Sequence, residues 1–485
     1  MQQAEGVSRK YRWELLFNQV WQGLNFFSKA AFLALLTPLM LAKWGRDGYG
    51  MFALSSSLLV SLAILDCGIR TMTRLRLCQA LVDKDTREFN FAICEGMATF
   101  GLVSLLVFVA ACAVAWAGLW SAWLQLPPEG NFLIAMTVGL IGVFMMSTLA
   151  LEPLAAENRI STLKAVNTVG ALVAIPIVGL LVWWGGSVTA ATFVYFLCLT
   201  LPNLYLYLTA VIGQSRFWHE WHRLQWRNVA ATLHSGGWYY VTTLSLVAKT
   251  HALTFIVSAV GGPAAAGTFY ILLRITEIVG GLGATSSDTS LASLANETEP
   301  ARRAENFRHG YLYALVFCLN GVLVIGFLTR MLLAHWIPKE VAGLPIGVGW
   351  SMAAYGLSGA FSKIVVNAAM GTGMVRKAAI GNLIEAILVL LSGVVLQPFF
   401  GLNGLFIGAA LAMVALLPTA SALSKNFGQT SFETWLAPIK SQVVPVLCCG
   451  LVLGLAAWSG NLFAGAGAVG VTGLAVIYSI KRLHR

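Results

Sequence analysis

A chain of 485 residues with 58% hydrophobic and only 11% charged side chains is not an ordinary soluble protein, because soluble domains carry about a quarter charged residues. Disordered tails, secreted disulfide scaffolds and nucleic-acid-binding domains are excluded by the same figures. The net charge of +11 therefore calls for a topological explanation.

Long apolar stretches bounded by charge or turn residues predict fourteen membrane spans, near 18–41, 49–72, 91–117, 131–152, 165–184, 188–211, 235–259, 266–292, 311–334, 344–370, 378–397, 403–423, 441–458 and 461–480. Helical spans of this length cross about 30 Å of hydrocarbon, whereas barrel strands would be shorter and would alternate apolar with polar residues. The expected fold class is an all-α polytopic membrane protein of about fourteen transmembrane helices.

Lys and Arg collect in every second loop. The amino-terminal segment has Arg9, Lys10 and Arg12, and the count continues through Arg74, Arg76, Lys84 and Arg87 to the tail Lys481, Arg482 and Arg485. The opposite side holds only Lys43, Arg46, Arg330 and Lys339. Cytoplasmic loops carry such an excess, so both termini are expected in the cytoplasm. The first span lacks a small-residue cleavage site and is expected to be retained. The eight cysteines lie in or beside spans, which suits packing thiols rather than a disulfide framework.

Loops are short, and the longest, around Gln214 to Leu233, mixes aromatics with cations (Phe217, Trp218, Trp221, Arg223, Trp226, Arg227) in the manner of a helix at headgroup level. It divides the chain into an N-lobe at 1–212, a linker at 213–234, a C-lobe at 235–425 and a helix pair at 426–485. A shift of 217 positions supports two repeated lobes of six spans. It aligns Trp21 with Trp238, Ser28 with Ser245, Gly45 with Gly262, Gly50 with Gly267 and Phe52 with Phe269. Parallel repeats with the substrate site between them are a known transporter plan.

Ionisable residues at membrane depth cost about 3 kcal/mol each on insertion scales and usually face a bundle interior or a wet cavity. In the first span Asn18, Gln22, Asn25 and Lys29 share one helical stripe. In the seventh, Ser235, Trp238, Thr242, Ser245 and Lys249 do the same. Arg274, Glu277 and Asp288 share a face of the eighth span, Asp66 and Arg70 lie one turn apart in the second, and Lys363 and Asn367 mark the tenth. Lys29 and Lys249 have no acid within a turn on their own helices, so they are expected to line a cation-rich cavity. The bland reading of Arg274 with Glu277, and of Asp66 with Arg70, is a structural ion pair. Central cations select anions, of which phosphates are the commonest. No Gly-x4-Gly-Lys-Ser/Thr loop occurs, so no nucleotide cofactor is expected, no metal motif is present, and a proton or sodium ion is the expected coupling ion.

The segment Gly45-Arg46-Asp47-Gly48-Tyr49-Gly50-Met51-Phe52, followed by Asp66-Cys67-Gly68-Ile69 and Arg74, resembles the start of polysaccharide (O-antigen or exopolysaccharide, Wzx-type) flippases. These belong to the multidrug/oligosaccharidyl-lipid/polysaccharide exporter superfamily. The resemblance implies a non-enzymatic protein of the bacterial inner membrane, with two six-span lobes and a C-terminal pair. It would move an undecaprenyl-diphosphate-linked oligosaccharide to the outer leaflet by alternating access. Membrane lipids, a polysaccharide polymerase and glycosyltransferases are the implied partners. The central cavity of related flippases is cationic and falls here on Lys29, Lys249 and Arg274, with Asn25 beside them. Glu277, Asp66, Arg70, Asp288 and Lys363 are the expected coupling or gating residues, Glu277 foremost. Two other readings share part of these features: a multidrug or cation antiporter of the same superfamily, and a membrane-embedded glycosyltransferase or ligase. The first would favour acids at mid-membrane, and the second would need a large external loop.

Overall fold

The computed structural model describes residues 2–61, 69–118, 130–138, 151–156, 160–209, 223–296, 299–337, 344, 347–440, 442–459, 464–465 and 467–474, in places by backbone alone. Among them every regular element is helical. The principal helices are α1 (Gln2–Ser61), α2 (Ile69–Val82), α3 (Thr86–Trp116), α4 (Leu151–Ala156), α5 (Ile160–Trp183), α6 (Val188–Tyr207), α7 (Trp226–Val247), α8 (Leu253–Asn296), α9 (Pro300–Trp336), α10 (Val348–Gly371), α11 (Val375–Leu411), α12 (Leu417–Asn426), α13 (Ala437–Lys440) and α14 (Val443–Ser459). The protein is an all-α, multi-pass membrane protein. The chain forms two units, one of Met1–Thr243 with Val257–Gly267, the other of Leu244–Ile256 with Thr268–Arg485.

Several helices are too long for a single crossing. Sixty residues of α1 would extend about 90 Å if straight, roughly three times the hydrocarbon thickness. The helix breaks at Gly45, with φ 68° and ψ −171°, in a region that essentially only glycine enters. The loop expected between the first two spans is thus compressed to one residue. The same device recurs in α8 at Gly262, with φ 75° and ψ 178°, the position that the 217-residue shift pairs with Gly45. A third break, at Gly401 (φ 57°, ψ −137°), divides α11. Among the described residues six helices are long and apolar enough to cross a membrane, or seven if one bent pair counts as a span. Of these, Val375–Asn426 covers two of the expected spans, and Gly236–Glu277 runs from one into the next.

In the first unit α1 packs on α5 and α6, and α2 on α3 and α4. Phe32 and Phe52, from the two halves of α1, meet around Tyr195 of α6 with ring centroids 4.6 and 5.7 Å from it. The indole of Trp44 donates to the carbonyl of Gly186 at 2.9 Å and ties the α1 break to the α5–α6 turn. A Cβ on Gly50 would lie 1.8 Å from the carbonyl oxygen of Pro263, and one on Gly267 would lie 3.1 Å from Gly50. Two repeat-related glycines therefore make one backbone crossing, the use that membrane helices have for small residues.

In the second unit α10 packs against α9 and α11, and α14 lies on α9. The core there joins Phe307 and Tyr311 of α9, Val365 and Ala369 of α10, Leu423 of α12 and Trp435. Helix α11 shows the environment plainly. Before the Gly401 break its buried positions are Ala378, Ala379, Gly381, Asn382, Glu385, Ala386, Val389 and Gly393, while Ile384, Ile387, Leu388, Leu391, Val394 and Val395 are exposed. The polar groups are inside and the branched aliphatics outside, the reverse of a soluble helix and the arrangement lipid demands. Trp116, Trp183, Trp184 and Trp458, all exposed, stand at helix ends where aromatic belts meet the headgroups.

Candidate functional site

The second unit buries its charges where α7 gives way to α8. Between the two helices Ala248–Ala252 form a turn of π-helix, a widened turn frequently found at functional positions. The turn carries Lys249, 4% exposed. The Lys249 ammonium donates to Oδ1 of Asn382 at 2.8 Å, to Oε2 of Glu385 at 2.7 Å and to the Ser362 hydroxyl. The Ser362 hydroxyl in turn donates to Oε2 of Glu385 at 2.8 Å. Tyr355 donates to the Lys249 carbonyl at 3.3 Å, so α10 holds the turn as well as its side chain. The expectation that Lys249 stands unpaired is corrected: its acid comes from α11, 136 residues away in sequence. Desolvating a lone ammonium costs several kcal/mol, which is why the site supplies a carboxylate and two further oxygens.

Arg274 and Glu277, one turn apart on α8, form an ion pair at 2.5 Å. The guanidinium also lies over the ring of Tyr270, 4.6 Å from its centroid, a cation–π contact. Both side chains keep about a quarter of their surface open, 25% and 29%, unlike Lys249. Lys363 and His251 lie within electrostatic reach of this pair. His251 is buried, and its Nδ1 meets no hydrogen-bond partner among the described residues. Among the described residues, buried Lys249 and partly exposed Arg274 and Lys363 stand against Glu277 and Glu385, three cations to two acids.

In the first unit Asn25 is buried, with no hydrogen-bond partner for its amide nitrogen among the described residues. The Ser28 hydroxyl donates to the Asn25 carbonyl at 2.8 Å. Arg70 and Arg74 grip Glu152 of α4, at 2.8 and 2.6 Å. Arg76 binds Glu88 at 2.5 Å and Glu95 at 2.8 Å. Phe91 lies beside Arg76 and Arg223, 5.8 and 4.8 Å from its ring centroid. Asp66, and the side chains of Lys29 and Asp288, fall outside the described residues, as does most of the expected linker.

Sequence reasoning missed Ser362, Asn382, Glu385, His251 and Glu152. A signal existed for one pair, because Asn382 and Glu385 share a face of an otherwise apolar span. Among the described residues no three His, Cys, Asp or Glu side chains converge as metal ligands, and the cysteines described are free thiols.

No protein-family model matches the sequence, and no characterised protein matches it by sequence. Solved structures do match its fold. The lipid II flippase MurJ, in an inward closed conformation, superposes with a TM-score of 0.70 at 13% identity, over 96% of this chain and 100% of its own. An inward-facing multidrug resistance MATE family transporter of the MOP superfamily gives 0.65 at 14%, over 81% and 94%. The MATE multidrug transporter DinF-BH in complex with R6G gives 0.64 at 14%, over 85% and 97%. The chain thus shares its fold with these solved structures.

Proposed function

We propose that the protein flips an undecaprenyl-diphosphate-linked oligosaccharide from the cytoplasmic to the outer leaflet of the bacterial inner membrane, for surface polysaccharide assembly. The observation that carries this reading is extent. The flippase fold runs over nearly the whole chain, whereas the multidrug exporter folds leave a larger part of it unmatched. The one cation in excess among these described residues of the second unit favours the same reading, since a lipid diphosphate is an anion and the cargo of a cation exporter is not. Arg274 and Lys363 are the substrate-binding set proposed for the second unit, and Lys29 and Asn25 of α1 are proposed separately for the first. Lys249 leaves the second unit's set, because Glu385, Asn382 and Ser362 already take up its ammonium. In this reading both termini are cytoplasmic, polymerase and glycosyltransferases are the pathway partners, and an ion gradient drives the cycle through Glu277.

The test is reconstitution. Liposomes holding the purified protein and a fluorescent undecaprenyl-diphosphate sugar are treated with an impermeant quencher. Accelerated loss of the protected half, slowed at least tenfold by Arg274→Gln together with Lys363→Gln, is the expected result. Uptake of rhodamine 6G with no movement of the glycolipid would sink the proposal in favour of a multidrug exporter.

A further inference from the structure

The surroundings of Lys249 describe an ion site more closely than a simple salt bridge. An ion pair needs one carboxylate. Here three oxygens of three kinds converge on one nitrogen: a hydroxyl from α10, and an amide carbonyl and a carboxylate from α11. They match the three protons of the ammonium one for one. Hard oxygens carrying a single negative charge among them are the donor set for one dehydrated monovalent cation, since a divalent ion would leave a buried charge uncompensated. The widened π turn at Ala248–Ala252 aims the lysine stem so that its charged end reaches that point.

We propose that Ser362, Asn382 and Glu385 form a monovalent-cation site whose resident ion is the ammonium of Lys249. The C-terminal unit then takes up no free sodium or potassium at this point in its cycle. A sodium gradient cannot act through the cluster while the lysine is in place, and removal of the side chain opens the site to a soluble ion. The inference concerns ion occupancy alone and stands whatever the transported molecule is.

The experiment is thermal unfolding of the purified full-length protein in detergent, in NaCl, KCl or LiCl against choline chloride at equal ionic strength. The wild-type midpoint should be the same in all four salts. Lys249→Ala should unfold earlier in choline chloride and recover in sodium or potassium, saturably, by about 3 °C or more, as binding to the folded state alone requires. Adding Asn382→Ala to that variant should abolish the recovery. Lys249→Ala with Glu385→Gln, which removes both charges, should fold in choline chloride and ignore the salt. A Lys249→Ala protein that behaves alike in all four salts, folded or unfolded, overturns the proposal. So does a wild-type protein with a saturable sodium shift that Asn382→Ala removes. No glycolipid enters these measurements, so their failure is separate from any failure of flipping.

Discussion

The two units handle charge inside a membrane protein in opposite ways. In the first, arginines at 31% and 46% side-chain exposure hold a buried acid, Glu152, and each guanidinium keeps a route to water. In the second, Lys249 and Glu385 are 6% and 2% exposed, and neither has one. The difference follows from the side chains. A guanidinium is planar, weakly hydrated and able to divide its donors between partners, whereas an ammonium is a compact point charge that needs oxygens on every side. The first unit's network is therefore a clamp that tolerates adjustment, and the second unit's is a closed cage that does not.

Breaking the cage should give the largest effect. Lys249→Met or Glu385→Gln alone strands a charge or a donor in a buried site, and the expected loss is about 3–5 kcal/mol. Lys249→Met with Glu385→Leu removes both charges at similar volume and should recover most of it. Equilibrium unfolding in mixed micelles containing choline as the only monovalent cation distinguishes the outcomes. A double variant no more stable than either single one would show that the cage is held by its shape rather than by its charges.

The clamp sharpens the comparison from the other side. Glu152→Gln keeps an acceptor for one arginine and leaves the other to solvent, so the loss should be about 1–2 kcal/mol. That is smaller than for Glu385→Gln, although Glu152 is fully buried. The same unfolding measurement applies, and a loss equal to that of Glu385→Gln would erase the distinction between clamp and cage.

What the sequence made legible divides along the same line. The helical membrane class, the breaks near Gly45 and Gly262, and the matching of those two glycines depend on local composition and on one register of 217 residues. The stripe that ends at Lys249 was legible too, because helical periodicity is local. Its partners were not, because Ser362 and Glu385 lie 113 and 136 residues further on, and no periodicity links separate helices. The repeat gave no help at this point, since it carries Lys29 to Leu246 rather than to Lys249. The π turn that bears Lys249 departs from the α-helical register on which such stripe counting rests. Arg274 with Glu277 was the easier case, since both partners share one helix face three residues apart.

The smallest effect belongs to a pair that resembles the others only on paper. Arg302 and Glu299 approach to 3.0 Å at three residues' spacing, but their side chains are 70% and 55% exposed. Water screens both charges, and holding two long side chains in one geometry costs about as much as their attraction returns. Glu299 also sits at the N-cap of α9 without a side-chain capping bond, directly before Pro300. There it also places a negative charge near the positive end of the helix dipole, worth a few tenths of a kcal/mol in solvent. Glu299→Ala should change stability by about 0.5 kcal/mol or less, with any change fading as salt is raised. A loss approaching that of Glu152→Gln would mean that the pair is sequestered from water in the membrane-bound protein, and that exposure is a poor guide to which of these ion pairs matters.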